Sequence, residues 1–64
     1  MMVKVGELSF IEFHKDGVEV FIWFDTEGQV SHIIETQGFQ EPIITRGSQA
    51  QALYELIKTE ENWD

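Results

Sequence analysis

The chain has 64 residues, 12 Asp and Glu against 4 Lys and Arg, a formal net charge of −8 and no cysteine. At this length we expect one small domain over residues 1–64, burying roughly 60% of the surface its unfolded form exposes, with disulfides and thiolate metal sites excluded. Lys4, Lys15, Arg46 and Lys58 are scattered singly, so the clustered cations that carry nucleic-acid affinity are missing and direct nucleic-acid binding is disfavoured.

The opening MMVKVGEL has no signal-peptide apolar region. The longest apolar run is Val20-Phe21-Ile22-Trp23-Phe24, far short of the roughly 18 residues that span a bilayer. The expectation is a soluble, cytoplasmic chain without membrane contact. LSFIEFH and VEVFIWFD flank Lys15-Asp16-Gly17. Asp-Gly between apolar runs predicts a two-residue hairpin, because both central positions of a type I′ turn need positive φ. The register that follows places Phe13 opposite Val20 and Ile11 opposite Ile22. Thr26-Glu27-Gly28 predicts a second turn, with Gly28 left-handed, leading into QVSHIIETQ as a third strand with Phe24 facing Val30 and Val20 facing Ile34. Gly38 ends that strand, and GFQEPII reads as a loop or short extended piece that Pro42 restricts to a sheet edge.

The last third changes period. Ser48 and Gln51 have the spacing of a capping box at the start of a helix over about 49–60, with Ala52, Leu53, Leu56 and Ile57 as its apolar stripe. Glu60 and Glu61 place negative charge at the negative end of the helix dipole, so the acidic tail from about 60 is expected to fray unless Trp63 packs back. The fold class is α+β: a three-stranded antiparallel meander followed by one C-terminal helix packed on one face.

That register assigns Ile11, Phe13, Val18, Val20, Ile22, Phe24, Val30 and Ile34 to the core face, with His32 as a core histidine beside Ile22. Leu8, Phe10, Glu12, His14, Glu19, Phe21, Trp23, Asp25, Ile33 and Glu35 then share the second face. One helix covers one face of so small a sheet, and an uncovered aromatic patch usually marks a binding or self-association site. We therefore expect an interaction surface of Phe10, Glu12, Glu19, Phe21, Trp23, Asp25 and Ile33. The competing expectation is that the segment 38–47 or Trp63 folds over these rings.

Chemistry-bearing constellations are few. His14, Glu19 and Glu35 align across three strands, but a row on a sheet does not guarantee the converging geometry of a metal site, and a histidine relieving two opposed carboxylates explains it better. No nucleophile elbow, GxGxxG or P-loop is present, so no catalytic residue, cofactor or metal is expected. The reading is a small acidic non-enzymatic protein-interaction module, acting on a partner protein or as a homodimer. The alternative is a DNA-mimic inhibitor of a nucleic-acid-binding protein, of the kind phages encode.

Overall fold

The computed structural model describes the backbone of residues 2–5 and 8–60 and the side chains of residues 9–60. Its elements are β1 (Met2–Val5), β2 (Leu8–Lys15), β3 (Val18–Phe24), β4 (Val30–Gln37), β5 (Ile43–Arg46) and α1 (Gly47–Thr59). The strands form one antiparallel meander in the order β1-β2-β3-β4-β5. The three expected strands are β2, β3 and β4, and the expected βββα order is corrected by an added strand at each edge. Four residues are too few to show a strand period, which is why MVKV gives no strand signal and IITR only that of the short extended edge piece expected around Pro42. Pro42 sits just ahead of β5, where its missing N–H costs no ladder bond.

The β2–β3 hairpin has the expected register. Asp16 and Gly17 adopt φ of 52° and 81°, the positive pair a type I′ turn requires, and Phe13 pairs with Val20 and Ile11 with Ile22. The next turn also closes as expected, with Gly28 at φ 82° and Phe24 opposite Val30. Its backbone ring is completed by Asp25 N–H donating to Gln29 O at 2.8 Å and Gly28 N–H to Asp25 O at 3.0 Å.

Beyond that pair the register slips. Trp23 faces His32, Ile22 faces Ile33 and Val20 faces Glu35, so Ser31 is the extra residue of a β-bulge and every later side chain on β4 changes face. This corrects four placements. Ile33, expected on the second face, is a fully buried core residue at 0% exposure, and Glu35 joins it on the helix side. His32 and Ile34, expected in the core, move to the second face. The physical reason is desolvation: an unbulged strand would seat the His32 imidazole against Ile22 in the middle of the core, where an unpaired polar group is costly, and the bulge seats Ile33 there instead.

α1 starts directly from β5. Gly47, at φ 68°, makes the turn between them, and Arg46 occupies the N-cap position without a side-chain cap. The expected capping box does not form: the helix begins ahead of Ser48, and Gln51 Nε2 instead donates forward to Glu55 Oε1 at 3.0 Å. The buried stripe is correspondingly Ala50, Leu53, Tyr54 and Ile57, at the helical spacing of three, four and seven. Ala52 is exposed, as is Leu56 at 66%. With Val20, Ile22, Phe24 and Ile33 these residues make the core, in which the Phe24 and Tyr54 rings meet edge to face at 5.4 Å. Each fully buried large side chain contributes about 1.5–3 kcal/mol.

At the helix end Glu60 N–H donates to Ile57 O at 3.1 Å, and the Glu60 carboxylate pairs with Lys15 Nζ of β2 at 3.2 Å. The charge at the unfavourable pole of the dipole is thus met from the sheet, while Lys58 pairs with Glu55 at 3.3 Å. The fraying expected of the tail and the packing of Trp63 lie outside the described residues, as does the Leu8 side chain.

Candidate interaction face

The face of the sheet opposite α1 carries a run of contacting rings. Cross-strand pairing sets Phe10 beside Trp23, with ring centroids 4.5 Å apart and planes 33° from parallel. Phe21, diagonal to Phe10, meets it at 6.1 Å in an edge-on arrangement. The bulge then delivers His32 to Trp23, stacked at 5.9 Å with planes within 10°. All these separations lie in the range where aromatic pairs attract. The four side chains are partly buried against one another and partly open to solvent. Ile34 lies beyond Phe21 on the same face, and β5 adds Ile44 opposite Ile34 and Arg46 opposite His32. Partial burial first, and the Arg46 charge second, hold the His32 pKa below its usual 6.5, so near neutral pH the imidazole stacks on Trp23 as the uncharged form.

One end of this face is acidic. His14 Nε2 lies 2.9 Å from Glu12 Oε2, and its Nδ1 lies 3.9 Å from Glu19 Oε2 on the neighbouring strand. Glu12 takes the place expected for Glu35, which the bulge sends to the other side. The donor atoms of Glu12, His14 and Glu19 lie within 4.8 Å of one another, the only spacing among the described residues that suggests a metal. The imidazole, however, presents a different nitrogen to each carboxylate, which is the arrangement of a bridge between two acids; one ion held by all three would need the ring to turn.

Of the residues assigned to this surface from sequence, Phe10, Glu12, Glu19, Phe21 and Trp23 come together. Ile33 does not, for the reason given above. Asp25 lies at the start of the turn, where its Oδ1 accepts from the Glu27 N–H at 2.9 Å and the Gln29 N–H at 3.0 Å. His32, Ile34, Ile44 and Arg46 were missed. The cost of burying His32 beside Ile22 was the available signal for the first two, and the edge position that Pro42 implies was the signal for β5. The covering loop also fails to appear: residues 38–42 are exposed, and Phe39 stands fully in solvent at 109%.

On the helix side a cleft of about 230 Å³ is lined by Val20, Glu35, Leu53, Leu56, Ile57 and Glu60. It holds the Glu35 and Glu60 carboxylates on an apolar floor, and Glu60 is already paired with Lys15 Nζ at 3.2 Å. No family model, curated protein or solved structure matches the chain.

Proposed function

We propose that this chain is a small non-enzymatic interaction module of the cytoplasm, which uses the second sheet face to hold a protein partner, with its own copy as the alternative occupant. The observation that carries the reading is the open stack of Phe10, Trp23 and His32, extended by Phe21, Ile34 and Ile44 and bordered by Glu12 and Glu19. Rings in contact, apolar at the centre and charged at the rim, have the composition of interface cores, where a few buried aromatics supply most of the binding energy. DNA mimicry draws less support. Glu12 and Glu19 lie on this face, Asp25 is tied into a turn, and Glu35, Glu55 and Glu60 lie on or beside the helix, so these six carboxylates do not build one stripe.

Capture from a host lysate at low and high salt tests the proposal. Capture should persist in high salt and fail with Trp23→Ala, whose far-UV circular dichroism stays native. Capture restricted to nucleic-acid-binding proteins, released by salt and indifferent to Trp23→Ala, would overturn it in favour of mimicry, because only contacts between exposed charges are screened so readily.

A further inference from the structure

We propose that β5 is a self-association edge, through which two copies join antiparallel into one continuous sheet. This goes beyond the partner-binding role of the aromatic face: it takes only Ile44 from the margin of that face and leaves the Phe10, Trp23 and His32 stack free. β5 ends the sheet, paired with β4 on one side only, so its outer N–H and C=O groups are a template for another strand. Edges are commonly guarded by very short strands, inward charges, lysines, prolines or bulges, and of these β5, four residues long, has the first. β5 reads Ile43-Ile44-Thr45-Arg46; Pro42 stands outside it, and its single charge is terminal. Ile43 and Ile44 project to opposite faces and remain 58% and 51% exposed.

Charge selects a second copy as the occupant. Two chains of −8 repel wherever their carboxylates approach, and residues 42–54 form the longest stretch without Asp or Glu. That stretch contains all of β5 and the first half of α1, so this edge is where two copies meet without opposing acids.

Symmetry then fixes the register. A twofold axis normal to the sheet pairs residues that share a face, which centres the contact on either Ile44 or Thr45. Centring on Thr45 would bring the two Arg46 residues into diagonal contact, unfavourable for like charges. Centring on Ile44 joins the two Ile44 side chains across the axis, pairs Ile43 with Thr45 of the other copy, and holds the Arg46 positions about 13 Å apart at the rise of an extended strand.

Light scattering over a micromolar to millimolar series, with hydrogen exchange of the β5 amides, tests this. The wild type and Trp23→Ala should pass from monomer to dimer with concentration, and the β5 amides should become protected over the same range. Ile44→Lys, which sets two cations face to face on the axis, should raise the dissociation constant by about tenfold or more with unchanged far-UV circular dichroism, while Ile44→Val should behave as wild type. A monomer mass throughout, β5 protection independent of concentration, or a dimer lost with Trp23→Ala and kept with Ile44→Lys would each overturn it. Partner capture is a separate readout, so either proposal can fail alone.

Discussion

Replacing Ile33 and Ile34 by Ala, one at a time, tests the bulge on which both faces depend. Ile33 has no exposed surface and pairs with Ile22, itself fully buried. Truncation to Ala removes three carbons, worth about 2.4 kcal/mol in transfer at about 0.8 kcal/mol each, and leaves a cavity that brings the loss to about 2–5 kcal/mol. A chain of 64 residues has about 3–10 kcal/mol of total stability at ordinary values per residue, so Ile33→Ala should remove about half of it. Ile34 lies on the second face and is only partly buried, so the same truncation should cost about 1 kcal/mol. In urea denaturation followed by far-UV circular dichroism, with m of about 1 kcal/mol/M, the midpoint should fall by about 3 M for Ile33→Ala and by about 1 M for Ile34→Ala. Equal shifts, or the larger shift for Ile34→Ala, would refute the bulged register and return His32 to the core.

Asp25→Ala leaves the Glu27 and Gln29 N–H groups without their carboxylate acceptor and should cost about 1 kcal/mol in the same denaturation assay, with partner capture unchanged because the side chain serves the turn. Gly47→Ala adds a Cβ that meets nothing within 4 Å, so its loss of about 1–2 kcal/mol should come from the left-handed backbone alone, and Gly47→Asn should recover part of it. His32 has a folded pKa below 6.5, so below that pH the unfolded chain binds more protons than the folded one. Its contribution to stability is therefore complete above pH 6.5 and declines as the pH falls toward the folded value; subtracting the melting profile of His32→Gln from that of the wild type should show this slope, and a difference that stays flat with pH would contradict it.

What can be read from sequence here follows the range of the forces involved. The β2–β3 hairpin is fully legible because Asp16 and Gly17 answer a local requirement for positive φ, and a two-residue turn determines the register of everything it joins. The existence of the helix is legible for the same reason, through its apolar spacing. Its stripe is misread by part of a turn because Ser48 has the chemistry of a cap but lies inside a helix that Gly47 has already begun. The short edge strands elude any periodicity argument, since four residues contain too few alternations to separate a strand from a loop. Within the candidate face, Phe10, Glu12, Glu19, Phe21 and Trp23 are recovered because they belong to the hairpin, and the β4 and β5 members are lost because they lie past the irregularity.

Ser31 is where local and tertiary preferences part. Nothing between Val30 and Gln37 demands an extra residue for the sake of the strand itself, and an unbroken ladder from the Phe24–Val30 pair would satisfy every local rule. The bulge gives up local ladder pairing at Ser31. In return it exchanges an imidazole for Ile33 at the centre of the core, a gain that exists only once β3 and α1 are in place. The same slip carries His32 under Trp23 and Ile34 beside Phe21, which completes the aromatic face. Core and candidate site are therefore products of one register choice: a chain that packed its interior without the bulge would also lose the imidazole end of the stack through which we propose it acts.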